Sequence, residues 1–186
     1  MIGQRTNISR EMEIIQKILK CPDLNEPKTL QMFNEIGNIK KQGFITRDQG
    51  IMILKWKSPR PLQRYQSNSE KDFREISRLA FNTRNEKLKM HILTALNGIN
   101  IPSASAILMV YNPKRYPVID IRVWTQLYKA GLVRTNSKGR GFSLDEWETY
   151  LEIISIIAGK TGLTPRQVDK RLYDIDKRER VGNLYK

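Results

Sequence analysis

Apolar residues recur along this chain at i, i+3 and i+4, the repeat of a helix with one buried face. No stretch shows the two-residue alternation of a half-buried strand. Met12, Ile15, Ile18 and Leu19 predict a first helix, capped by Ser9 and closed by Cys21-Pro22. Residues 22–27 read as a connector. Leu30, Phe33, Ile36 and Ile39 predict a second helix ending near Gly43. Thr46 caps a short helix over residues 47–56, stopped by Pro59 and Pro61. Ser69 and Asp72 open another that carries Phe73, Ile76, Leu79 and Ala80, and residues 87–96 form the next. Val123, Leu127 and Ala130 share a face that Gly131 closes. Ser143 and Glu146 make a capping box ahead of Trp147, Tyr150, Leu151, Ile154 and Ile157. Thr164-Pro165 starts a last helix with Val168, Leu172 and Tyr173, and residues 177–186 read as a basic, frayed tail. The expected fold class is all-α, in one domain over residues 1–186, with no repeat and no low-complexity linker.

Composition adds a partner to this picture. The 186 residues carry 33 Lys and Arg against 19 Asp and Glu, a formal net charge of +14. Such an excess points to a polyanion, and nucleic acid is favoured because no basic helix has a bulky apolar face left over for a membrane. One cysteine, Cys21, and one histidine, His91, leave no set of ligands for a Cys/His zinc site or a four-cysteine cluster. No segment reaches the roughly 18 apolar residues of a membrane span, and no apolar leader opens the chain. A soluble, intracellular monomer is expected.

Candidate chemistry concentrates in residues 96–124. Leu96-Asn97-Gly98-Ile99-Asn100 reads as a tight turn between two helices, the second starting at Ile101-Pro102 and running past Ser103, Ala104 and Ile107. Gly98 permits a positive φ, and Pro102 sits where the first helical N–H has no partner in any case. The remaining free N–H groups at that helix start, with Ser103 beside them, favour an anion such as a DNA phosphate. An ordinary packing corner between two helices accounts for the same residues. Further on, Asp120 heads another helix. A carboxylate held there can stabilise positive charge on a sugar and orient water, and aspartate is also a common N-cap.

This segment resembles the helix-hairpin-helix and following loop of the HhH-GPD superfamily of DNA glycosylases. Leu96, Asn97, Gly98, Ile99 and Asn100 fall on the family's L-P-G-V-G hairpin positions, and Ala104 and Ile107 on packing positions of the second hairpin helix. Residues 117–124, Pro117 to Trp124, resemble the stretch that carries the family's aspartate. The resemblance covers residues 96–124, and the helical remainder is consistent with the same fold. It implies two interlocked helical subdomains, a hairpin at about residues 87–112, a catalytic loop at 113–124 and Asp120 as the catalytic residue. It also implies double-stranded DNA with a damaged or modified base as partner, no required cofactor, and a monovalent cation at the hairpin carbonyls as an option. Two departures matter. Asn100 replaces the second hairpin glycine, and asparagine tolerates the left-handed conformation. Pro102 stands where bifunctional members carry a Schiff-base lysine, so a monofunctional enzyme using water is expected, with no lyase activity.

A flipped base needs aromatic walls, for which Trp56, Tyr65, Tyr116 and Trp124 are candidates. Lys57, Arg60, Lys114, Arg115 and Arg122 are candidate phosphate contacts, with Lys138 and Arg140 on a flexible basic loop. Asp169 is expected in a surface ion pair with Lys170 or Arg171. Two rival readings remain at this point. One is a hairpin protein that binds DNA without chemistry. The other is a metal-dependent nuclease built on Asp145, Glu146 and Glu148 or on Asp174 and Asp176, whose spacing fits solvated helix faces better. The base removed, whether alkylated, deaminated, oxidised or a hypermodified base of phage DNA, is not written in the residues.

Overall fold

A computed structural model describes residues 2–23 and 26–182, with side chains in the first helix from Arg10 onward. Among the described residues every regular element is a helix. In chain order these are α1 (Ile2–Lys20), α2 (Pro27–Ile36), α3 (Ile39–Gln42), α4 (Arg47–Lys57), α5 (Leu62–Gln66), α6 (Glu70–Asn82), α7 (Glu86–Leu93), α8 (Ile101–Tyr111), α9 (Ile121–Lys129), α10 (Leu144–Thr161) and α11 (Pro165–Glu179).

Local chemistry sets most of these boundaries. Thr46, Ser69, Ser143 and Thr164 each accept a backbone N–H three residues on, and the residue there reaches back to complete a capping box. Three expectations differ. The backbone is already helical from Ile2, so Ser9 lies inside α1, and its side chain falls outside the described residues, as do Leu24 and Asn25 of the connector. The single helix expected from Leu30 to Gly43 is two. Gly37 takes a φ of 72°, which breaks the helix, and the Asn38 side chain caps α3 by accepting from Lys41 N–H. Helix α11 runs on to Glu179, which moves the start of the tail, and residues 183–186 lie outside the described residues.

Helix α8 is buried on all sides from Ser103 to Val110 and forms the centre of the molecule. Helix α4 packs on α8, α2, α5 and α6, whereas α11 packs on α9, α10 and α1. Helix α7 touches α6, α8 and α10 and so joins the two groups. Met12, Leu19, Leu30 and Leu79, all expected on buried faces, are exposed. The stripes that do pack are centred on Ile14, Ile15 and Ile18 in α1 and on Thr29, Met32 and Ile36 in α2.

Candidate active site

The turn from α7 to α8 is built from backbone. Gly98 has a φ of 81°, and a Cβ there would stand 2.6 Å from the Cβ of Arg64 in α5. Both the conformation and the space require glycine. Asn68, buried and overlooked in the sequence, clamps the turn from outside. Its Oδ1 accepts from Asn97 N–H at 2.6 Å and its Nδ2 donates to Asn97 C=O at 3.0 Å. Asn100 is extended, with a φ of −108°, and not left-handed as its replacement of glycine suggested. It serves instead as N-cap, its Oδ1 accepting from Ser103 N–H at 3.1 Å. That bond takes up one of the N–H groups expected to face a phosphate. Ser103 itself is buried, its hydroxyl 3.4 Å from the buried Tyr65 hydroxyl.

The segment leading to Asp120 is pinned from three helices. Val118 N–H donates to the Asp169 carboxylate of α11, Tyr150 of α10 donates to Val118 C=O at 2.9 Å, and Ile119 N–H donates to Ser105 Oγ of α8 at 3.1 Å. Asp120 then caps α9, its Oδ1 accepting from Arg122 N–H at 2.9 Å. Its Oδ2 accepts from Lys57 Nζ at 2.6 Å, with 13% of the lysine and 21% of the aspartate side chain exposed.

This ion pair stands where two concavities meet. A cavity of about 230 Å³ is lined by Trp56, Asp169, Arg166, Glu26, Lys170 and Tyr173. A groove of about 400 Å³ lies between the hairpin at Asn100–Ser103 and a loop at Gly139–Phe142. Asp120 and Lys57 line both. The cavity wall is a chain of charges. Arg166 pairs with Asp169 and, at 2.8 Å, with Glu26, and its guanidinium lies 5.5 Å from the Trp56 ring. Trp56 is fixed through Nε1, which donates to Thr29 Oγ1 at 3.0 Å. Burial pushes the Asp169 carboxyl up to about 6, although Arg166 and Val118 N–H both favour its charged form. Burial likewise raises Tyr150 well above the usual phenol range, with Asp169 and Asp120 adding to the effect.

Asp169 is thus a buried wall residue paired with Arg166, not a surface partner of Lys170 or Arg171. The only signal for it was its place on the helix face shared with buried Val168 and Leu172. The loop at residues 134–141 is likewise no loose strand of charge. Trp124 Nε1 donates to Asn136 C=O at 3.0 Å, and Asn136, at a φ of 49°, exchanges bonds with the Arg140 backbone and donates to the Glu146 carboxylate. Lys138 and Arg140 are exposed upon it.

Other expected site residues lie elsewhere. Trp124 is core, edge-on to Phe142 at 5.2 Å, and Tyr116 is core with its hydroxyl on Glu86 at 3.2 Å; neither lines the cavity. Both rings are hidden because the segment between them is pulled inward by its backbone bonds. Arg115 pairs with Glu86 at 2.7 Å and lines neither the cavity nor the groove, and Lys114 is exposed beside it. Arg122 pairs with buried Asp176 at 3.2 Å and lies over Tyr173, so it braces α9 on α11. Arg60 is exposed near the groove mouth, one residue from its lining Pro61. Of the carboxylates weighed for a nuclease, Asp145 and Glu148 pair with Lys87, Glu146 closes a capping box, Asp174 pairs with Lys170 and Asp176 with two arginines. Among the described residues no three His, Cys, Asp or Glu side chains gather where they could hold a metal ion, and no helix is long and apolar enough to cross a membrane.

No protein-family model matches the chain, and no curated protein matches it. Among solved structures it is similar to 8-oxoguanine glycosylase/lyase of Methanocaldococcus jannaschii in complex with a 15mer DNA containing 8-oxoguanine. The identity is 16%, the TM-score is 0.51, and the match covers 95% of this chain and 84% of that one. At that identity the likeness is one of fold, and it agrees with the all-helical architecture described above.

Proposed function

We propose that this protein is a DNA glycosylase of the helix-hairpin-helix type, which flips a damaged or modified base into the Trp56-walled cavity and cleaves its N-glycosidic bond. One observation carries the reading: Asp120, at the mouth of that cavity, also lines the groove beside the hairpin. A duplex whose backbone follows the groove would bring the C1′ of an extruded nucleotide to Asp120, with the base beyond it against Trp56. Asp120 would stabilise the positive charge growing on the sugar and take a proton from the attacking water. Pro102 offers no amine, so the base is released to water. The likeness to a glycosylase/lyase bound to damaged DNA supports the same reading.

The cavity is not uniformly acidic or basic. Glu26, Asp120 and Asp169 face Lys57, Arg166 and Lys170, which gives a polar wall suited to a base read by hydrogen bonds rather than by its charge. The hairpin carbonyls of Leu96 and Asn97 accept from Ile99 N–H and Asn68, and each keeps a second lone pair. They would fit a monovalent cation, which would supply positive charge for a phosphate.

A binding-only protein is the competing reading, favoured by the fact that capping and the Lys57 pair already account for Asp120 structurally. The separating experiment is base release from a panel of duplexes carrying oxidised, deaminated, alkylated and phage-type modified bases, with Asp120→Asn alongside. Abasic sites made by wild type and not by the variant support the enzyme. Equal, salt-sensitive binding by both with no base released from any duplex would favour the binder.

A further inference from the structure

Asp120 holds a cation before any sugar arrives. Lys57, the last residue of α4, sets its Nζ 2.6 Å from Asp120 Oδ2, while Arg122 N–H already donates to Oδ1. The glycosylase reading gives this carboxylate a second cation to hold, the sugar carbon that turns positive as the base departs. Two cations at one carboxylate repel each other, and a charge already matched by Lys57 does little for the sugar. The resting pair is therefore a block on the chemistry, and the amine must be drawn away before Asp120 can act.

Lys57 is the cation of this site held by the fewest partners. Arg166 is tied to both Asp169 and Glu26, and Lys170 to Asp23 at 3.2 Å and Asp174 at 3.3 Å. Among the described residues Asp120 is the one carboxylate paired with Lys57. Lys57 also lines the groove, where no other carboxylate than Asp120 faces it. Its four-carbon stem turns about its own bonds, so the amine can pass from the cavity mouth into the groove with the helix at rest.

We propose that Lys57 is a positioning residue that keeps Asp120 idle until a DNA phosphate in the groove takes over its amine, which makes base release conditional on a phosphate beside the target nucleotide. This rests on the glycosylase reading for where the sugar lies. The phosphate binds the ammonium by a charge-assisted hydrogen bond. Asp120 regains an unmatched charge, and the sugar cation becomes its new partner. When the DNA leaves, the pair closes again. Lys57 thus adds a specificity that the cavity wall does not supply: the wall reads the base, and Lys57 reads whether that base hangs on a charged strand.

Two measurements on the full chain test this, and the first needs no base release. The Lys57 ammonium is followed by nitrogen NMR, its signal assigned by its loss in Lys57→Met. A duplex with a tetrahydrofuran abasic analogue should move that signal in wild type and give it a coupling to phosphorus. A duplex whose two phosphates flanking the analogue are uncharged methylphosphonates should leave it in place, at concentrations where anisotropy shows both duplexes bound. The second measurement is single-turnover base release at saturating DNA, so that affinity drops out. Neutralising the two phosphates should slow wild type by about tenfold, the scale of one partly desolvated charge pair. Lys57→Met, melting with the wild type, should lose that dependence and outpace wild type on the neutralised duplex. A Lys57 signal unmoved by the charged duplex, or moved equally by the neutralised one, overturns the proposal. So does a Lys57→Met protein that keeps the full phosphate dependence or is slower than wild type on the neutralised duplex, as an amine that merely supports the fold or the chemistry would require. If neither protein releases a base from any duplex, the glycosylase reading fails by itself, and the NMR signal still decides whether phosphate opens the pair.

Discussion

The hairpin side of the groove and the wall of the cavity meet at Asp120, yet they are made of different material. The hairpin is backbone shaped by a glycine that cannot be replaced, a capping asparagine and the Asn68 clamp. The cavity wall is side chain, with Arg166 tied to two carboxylates and stacked near Trp56. Backbone presents the same N–H groups whatever the DNA sequence, so the hairpin suits a contact that holds any phosphate. A wall of paired charges is particular to what enters it, because each partner lost leaves a buried charge unpaired. On the glycosylase reading, grip and discrimination would thus fall to separate parts that share one carboxylate.

Substitutions can pull these two functions apart. The largest effect is expected at Asp120→Asn. Base release should fall by about 10³-fold, the scale of a lost charge-stabilising and proton-accepting group, while duplex affinity by fluorescence anisotropy holds. A parallel fall in both would mean that grip and chemistry are not separable. Next comes Gly98→Ala, which forces a Cβ to 2.6 Å from Arg64 at a positive φ. It should cost roughly 1–3 kcal/mol in urea unfolding and weaken DNA binding, but leave the single-turnover rate at saturating DNA unchanged. A slowed single turnover would show that the hairpin also sets the cavity.

Asp169 gives a subtler effect, visible in pH. Its carboxyl is raised by burial from 3.8 to about 6 in the folded chain. The folded state therefore binds the proton more tightly than the unfolded one. The associated stability is present in full below the unfolded value and is lost as pH rises through the folded one. Between these limits the urea midpoint of wild type should drop relative to that of Asp169→Asn as pH increases. Parallel curves for the two proteins would remove the buried carboxyl from the account. The smallest change is expected from Lys138→Ala on the loop across the groove, where the slope of log affinity against log salt should shrink by about one. An unchanged slope would place the DNA path away from that loop.

The same division governs what could be read in the sequence. The helix starts at Thr46, Ser69, Ser143 and Thr164 were legible because a cap and its partner lie three residues apart. Gly98 and the position of Asp120 at a helix start were legible for the same local reason. The cavity was not, since Glu26, Trp56, Asp120 and Arg166 come together only through packing of α2, α4, α9 and α11. Tyr116 and Trp124 misled because an aromatic near a catalytic segment reads the same in core and in pocket; only burial tells them apart. Asp169 misled because charged neighbours in sequence, Lys170 and Arg171, are less decisive than Arg166 one helical turn back. Lys57 was read as a phosphate contact, and nothing local revealed that its amine would meet a carboxylate from a distant segment.

Ser105, Tyr150 and Asp169 hold the peptide links ahead of Asp120, and only the last of the three also forms part of the cavity wall. This makes the wall unequal as raw material for redesign. Trp56 and Tyr173 can be recut for a base of another shape while the carboxylate stays anchored from three helices. A change at Asp169 alters the wall and loosens that anchor in one stroke, so on the glycosylase reading new selectivity obtained there would come with slower base release.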